Sequence, residues 1–178
     1  MKKAILFIWE IIKIVSISLA IIIPVRYYLI QPFFVRGASM TPNFDNGQYL
    51  VIDEIGYRLK EPQRGEVIVF KYPLDPSQYY IKRIVGLPGE SVGINDGQVF
   101  IYEQDNPLGK VLDESGYLST GVITWGETKI KLGPDEYFVL GDNRSASSDS
   151  RQWGVLNQGN IIGRVWLRAW PFDQLTVF

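Results

Sequence analysis

Ser39 lies in the stretch Val35-Arg36-Gly37-Ala38-Ser39-Met40-Thr41-Pro42, with a glycine two residues before it and a proline three residues after. Such flanks suit a tight backbone that presents a hydroxyl. A free serine hydroxyl is a weak nucleophile and needs an adjacent base. Histidine, the commonest base, is absent from all 178 residues, and so is cysteine. Ser-His-Asp and Cys-His arrangements are therefore excluded, as are thiolate and imidazole zinc sites. If Ser39 is activated from within the chain, the base is a lysine or a carboxylate. A metal would have to be held by oxygen ligands alone, and neither a metal nor a cofactor is expected.

A lysine acts as a base only when burial or a neighbouring cation pulls its pKa from about 10.4 towards neutrality. Lys82, in Tyr80-Ile81-Lys82-Arg83-Ile84-Val85-Gly86, is flanked by residues that favour burial. Alternation along a strand puts Tyr80, Lys82 and Ile84 on one face and Ile81, Arg83 and Val85 on the other. One of the two adjacent cations must then point where the apolar pattern does not place it. The competing reading is a lysine protecting an exposed sheet edge. The S-x-x-K spacing of β-lactamase-like enzymes is absent, so a Ser39/Lys82 pair has to be assembled by the fold.

A second polar stretch, Gly141-Asp142-Asn143-Arg144-Ser145-Ala146-Ser147-Ser148-Asp149-Ser150-Arg151, runs on to Trp153-Gly154. Its hydroxyls suit the positioning of a neutral amine, and Asp149 with Arg151 suits a supporting ion pair. The alternative is a solvated loop held by Asx and Ser turns. Asp142, Asn143 and Asp149 lack the spacing and the glycine of an EF-hand, so calcium is not expected.

Several elements must position these groups. After Met1-Lys2-Lys3 the chain is apolar from Ala4 to Val25, interrupted by Glu10 and Lys13. As a helix this segment spans roughly 33 Å, enough for a bilayer core of about 30 Å. Glu10 and Lys13 share a helical face and suit a pair. The preferred reading is a retained anchor, residues 1–25, with Lys2 and Lys3 favouring a cytoplasmic N-terminus. A signal peptide cleaved after Ser18-Leu19-Ala20 and a buried core helix are the competing readings. Tyr27, Tyr28, Phe33 and Phe34 follow, and suit either a membrane interface or an ordinary strand.

Beyond Ser39, short apolar runs at Tyr49–Ile52, Val67–Phe70, Tyr79–Val85, Tyr137–Leu140 and Ile161–Trp170 read as strands. Asn95-Asp96-Gly97 between Val92–Ile94 and Val99–Tyr102 is a hairpin signal. The expected fold is mainly β, a sandwich or barrel over 26–178. The polar segment 103–126 is hard to place. With 18 Lys+Arg against 19 Asp+Glu and no basic run, charge gives no argument for a nucleic-acid partner.

Four boxes occur in one order: Gly37-Ala38-Ser39-Met40-Thr41-Pro42; Arg64-Gly65-Glu66-Val67-Ile68-Val69-Phe70; Tyr80 through Glu90; and Gly141-Asp142-Asn143-Arg144 with Ser147, Asp149, Ser150 and Arg151. Together, behind an apolar N-terminal segment, they resemble the bacterial type I signal peptidases, membrane-anchored Ser/Lys proteases. The resemblance implies a β-rich catalytic domain of coiled antiparallel sheets on the outer face of the plasma membrane, carried by a single N-terminal transmembrane helix. It implies that Ser39 is the nucleophile, Lys82 the general base, and Ser147 a hydrogen-bond partner orienting the lysine amine. Asp142, Asp149 and Arg151 are implied as supports, and the Ser39 backbone N–H as an oxyanion donor. Some members place a serine hydroxyl where this chain has Gly37, which leaves the second donor open. Glu66 stands where Asp is usual and Asn43 where Thr is frequent. The implied partners are signal peptides of exported preproteins, cut after small residues, and the lipid bilayer, with Trp166 and Trp170 as further candidates for lipid contact. A catalytically inactive β-domain and a protease dedicated to one exported substrate are the alternatives. The segment 103–126 falls where members vary in length and reads as an insertion.

Overall fold

The computed structural model describes residues 2–24, 31–103 and 106–178. Tyr27 and Tyr28, and the expected boundary at residue 25, lie outside them. Helix α1, Lys2–Pro24, has 23 residues. Its described side chains from Leu6 to Ile22 are all exposed, so it is not a buried core helix. Glu10 and Lys13 pair at 2.8 Å. Among the described residues, no helix is long and apolar enough to cross a membrane.

The strands are β1 (Gln31–Phe34), β2 (Tyr49–Asp53), β3 (Val67–Tyr72), β4 (Asp75–Gly86), β5 (Ser91–Asn95), β6 (Gln98–Tyr102), β7 (Lys110–Val111), β8 (Thr128–Lys131), β9 (Glu136–Leu140), β10 (Leu156–Asn157), β11 (Ile161–Trp170) and β12 (Thr176–Val177). They form two antiparallel sheets. The larger runs β1-β2-β11-β3-β4-β9-β10, with β12 added on β11, and the smaller runs β7-β6-β5-β8. The mainly β, antiparallel expectation holds.

The apolar run Val67–Phe70 is buried on both faces, as a central strand requires. Val67 and Val69 join Ile81, Leu50, Ile52, Met40 and Phe44 in one cluster. Ile68 and Phe70 join Ile84, Tyr137, Val139 and Leu156 in another. A third cluster joins the sheets: Val85, Phe138 and Leu140 from the larger meet Val92, Ile94, Val99 and Ile101 from the smaller. The hairpin between β5 and β6 turns on Asp96 (φ 49°) and Gly97 (φ 76°), the left-handed pair that a two-residue turn of this kind needs. Strand β4 pairs with β3 from Asp75 to Arg83, but with β9 only from Arg83 to Gly86. Lys82 therefore lies where the β9 side of β4 opens.

Candidate active site

The Ser39 loop is fixed from within. The Val35 N–H donates to Gln48 O, and the Gly47 N–H donates to Val35 O. Gly37 has φ 90°, a conformation that favours glycine, and its N–H donates to Asn46 Oδ1 at 2.9 Å. Met40 and Phe44 anchor the loop in the core, and the Phe44 N–H closes a helical turn on Met40 O. Ser39 is left half-buried at the surface of this turn.

Lys82 meets it from β4. Only 3% of Lys82 is exposed, and its Nζ donates to Ser39 Oγ at 2.8 Å and to Ile81 O at 2.8 Å. Burial pulls its pKa down to about 8, against the opposing pull of the Asp149 and Asp142 carboxylates. The edge-lysine reading is thereby removed. The neighbouring cation is also accommodated: Arg83 grips Asp142 through Nε (2.8 Å) and Nη2 (2.6 Å), donates to Gly65 O, and lies 4.2 Å from the Tyr117 ring. Alternation could not assign an inward cation because each of the two has its own partner.

The stretch Gly141–Arg151 holds the two segments in register. Asp142 is fully buried and also accepts from Asn43 Nδ2 at 2.8 Å. Asp149, likewise buried, accepts from Arg151 Nε and Nη2, both at 2.8 Å, and from the Gly141 N–H. Two residues to which the sequence assigned no such role are central here. Asn143 donates its N–H to Ser39 O, and its Nδ2 to Ala38 O and Thr41 Oγ1, at 3.0–3.1 Å. Gly141 has no room for a side chain, since a Cβ there would overlap Ser147 Oγ and Ser39 O. Neither role has a local signature; each depends on a loop about a hundred residues away in the chain.

Ser147 is placed beside Gly141 and is buried, but its Oγ has no hydrogen-bond partner among the described residues. The expected bond from Ser147 to the Lys82 amine is not among those of the structure. Asn43, in place of the frequent Thr, ties the Ser39 loop both to Asp142 and to Tyr117 O. Glu66 stands apart from the serine, accepting from the Tyr57 hydroxyl and the Gln63 N–H. The polar segment 103–126 is joined to the site as well: Glu114 takes both Nη atoms of the buried Arg144 and the Tyr117 hydroxyl. Among the described residues no group of three or more Asp or Glu side chains is placed to hold a metal ion.

An open groove of about 550 Å³ runs over the pair, lined by Phe33, Phe34, Ser39, Tyr80, Ile81 and Lys82 among others. A serine hydroxyl against a buried amine of lowered pKa, beside a groove, is chemically able to work as a nucleophile with its base. The family profile described as signal peptidase, peptidase S26, matches residues 8–170. The chain belongs to this family. It is accordingly an enzyme of the signal peptidase I type, a serine endopeptidase. Its relatives include a probable signal peptidase I-2 of Synechocystis sp., 34% identical over 93% of this chain and 75% of that one. A signal peptidase I of Leptolyngbya laminosa is 34% identical over 92% and 80%. Signal peptidase IB of Staphylococcus aureus is 29% identical over 98% and 94%. Among solved structures, a signal peptidase I from Enterococcus faecalis is 31% identical, covering 60% of this chain and 97% of that one, with a TM-score of 0.47.

Proposed function

We propose that the chain removes N-terminal signal peptides from exported preproteins at a membrane surface, with Ser39 as nucleophile and Lys82 as general base. The observation that carries this reading is the 2.8 Å contact between Lys82 Nζ and Ser39 Oγ in a family of signal peptidases. The neutral amine takes the Ser39 proton as Oγ attacks the scissile carbonyl. The resulting ammonium gives that proton to the leaving amine. A water, deprotonated by the same lysine, then releases the acyl group. Asp142, Asp149 and Arg151 position rather than react, since each is engaged with neighbours. The oxyanion falls to the Ser39 N–H, which has no acceptor among the described residues. The Gly37 N–H donates to Asn46 Oδ1 and would have to leave that acceptor to serve as the second donor.

Substrate residues before the cut enter along the open side of β4, and shallow apolar contacts there favour small side chains at the first and third positions. The N-terminal segment, residues 1–25, which contains the exposed α1, serves as the anchor, with its N-terminus in the cytoplasm and residues 26–178 outside. Exposed Phe34, Tyr49, Trp166, Trp170 and Phe172 suit contact with the bilayer interface. The test is cleavage of several preproteins in vesicles or detergent by the wild type and by Ser39→Ala and Lys82→Ala proteins. Loss of cutting in both variants, with folding kept, is expected; full activity in Lys82→Ala protein would overturn the mechanism.

A further inference from the structure

A second open groove, of about 530 Å³, shares no lining residue with the one over Lys82, yet the same two loops build both. Ser39 and Ser148 line the first; Thr41, Pro42 and Ser145 line the second. Asn143, which lines the second groove, stitches the two loops together by bonds to Ser39 O, Ala38 O and Thr41 Oγ1, so Ser39 stands in the first groove where the second adjoins it. A chain with its scissile carbonyl at Ser39 that continues past Thr41 leaves the first groove and enters the second. Thr41 is two Cα steps from Ser39 within a compact turn, at most about 7.6 Å, which an extended substrate covers in about two residues, so the second groove begins at about the second residue past the cut.

Its far wall is apolar and exposed: Val122 (41%), Ile123 (48%) and Trp125 (67%). This wall is braced. The Thr124 N–H donates to Gly97 O, the Thr124 hydroxyl meets Arg144, and Trp125 O accepts from Arg151. The floor contains charges but offers none, because Arg144 is paired with Glu114 and Asp142 with Arg83. A fixed apolar wall over a neutralised floor favours uncharged, apolar side chains.

We infer that this groove receives the residues of the polypeptide substrate that follow the cut bond and selects apolar side chains at the second and third of them. The inference rests on Ser39 as the nucleophile. It assigns specificity on the far side of the cut to Ile123 and Trp125, within the insertion-like segment.

The test uses synthetic peptides identical up to the cut. Beyond it they carry a single amidated residue, four residues with Leu at the second and third positions, or the same four with Asp there. For the wild-type chain, kcat/KM for the Leu peptide is expected to exceed that for the other two by about tenfold, the worth of one well-buried aliphatic side chain. In Trp125→Ala and Ile123→Ser proteins that ratio falls towards one. An unchanged ratio in both variants, or a wild-type ratio of one, overturns the inference. Binding of the Leu peptide to Ser39→Ala protein, with and without the Trp125 change, separates the two readings. Trp125-dependent binding without any cutting by the wild type overturns the protease mechanism and leaves the groove. Cutting that ignores both Trp125 and peptide length overturns the groove and leaves the protease. Dimerisation that Trp125→Ala abolishes, with the ratio unmoved, marks a second copy as the occupant and also overturns it.

Discussion

Lys82 Nζ lies 2.8 Å from Ser39 Oγ although the two residues are 43 positions apart in the chain. The lysine is held there by a sheet and the serine by a loop, and the contact is buried on the lysine side. Proximity alone does not make a base, because a protonated amine cannot accept a proton. The fold adds the second requirement by withdrawing the amine from water, which disfavours its charge.

With Lys82 as the proposed base the neutral amine is the active form, so the rate of cleavage is expected to rise with pH and level off above about 8, the pKa to which burial brings Lys82. A pH profile of kcat/KM on a neutral peptide measures it. Lys82→Arg protein, whose guanidinium stays charged, should lose about a thousandfold or more in rate and show no rise through that window. A wild-type rate that falls between pH 7 and 9 contradicts the assignment.

The same burial should appear in stability. The Lys82 pKa falls from 10.5 to about 8 on folding. Between those pH values the unfolded chain binds more protons than the folded one, so stability rises with pH. Below that window, holding the ammonium in the fold costs about 3 kcal/mol. Lys82→Met protein should therefore be more stable than the wild type at pH 7, with the gap closing as pH approaches 10.5. Tyr57 and Tyr117, whose pKa values are raised by burial, affect both proteins alike and cancel in the difference. Urea melts of the two proteins at pH 7, 9 and 10 decide the matter, and a gap independent of pH sinks the idea.

Ser147 is a buried hydroxyl without a partner among the described residues, an arrangement that normally destabilises a protein. Protonated Lys82 has three N–H donors and, among the described residues, two acceptors, Ser39 Oγ and Ile81 O. If Ser147 takes the third when the lysine is charged, Ser147→Ala should slow cleavage by about ten- to a hundredfold, the worth of a hydrogen bond to a charged group. Thermal stability should hold or rise. A parallel loss of activity and melting temperature would assign Ser147 a structural role instead.

What was legible in the sequence was local. Asp96-Gly97 marks its hairpin by the left-handed backbone its turn requires, and Val67–Phe70 marks a central strand by continuous apolarity. Strand β8, Thr128-Lys129-Ile130-Lys131, carries too little apolar pattern and exists because β5 offers it an edge. The site was legible in its parts, since the absence of histidine directs attention to a buried lysine. Which of Lys82 and Arg83 meets the serine is decided by Asp142, which takes the arginine. Gly141 and Asn143 act across the gap between two loops, which spacing along the chain does not encode.

Gly141→Ala tests that gap. The added Cβ would overlap Ser147 Oγ, which can rotate, but also Ser147 Cβ and the backbone Ser39 O, which cannot. Relief requires the Gly141 turn and the Ser39 loop to move apart, which disturbs the contact of Ser39 with Lys82. Activity should fall steeply, with a stability loss of about 1–3 kcal/mol from overpacking. Removing the Ser147 hydroxyl as well should not restore cleavage, because the backbone overlap remains. Wild-type activity in the single variant would mean that the loops are not held this closely.

The segment 103–126 reads as an insertion in the sequence, yet Glu114 neutralises Arg144, whose side chain is only 1% exposed. A dispensable insertion would not supply the partner of a buried charge. Glu114→Ala leaves that charge unpaired and should destabilise the fold by about 3 kcal/mol or more. Activity should fall with it, because Arg144 also donates to Gly141 O at the turn facing Ser39. Replacing both partners, Glu114→Leu with Arg144→Met, removes the stranded charge and should recover most of the stability. If instead Glu114→Ala melts like the wild type, Glu114 is not what keeps Arg144 in the fold, and the segment is tied to the Ser39 site through Tyr117, Thr124 and Trp125.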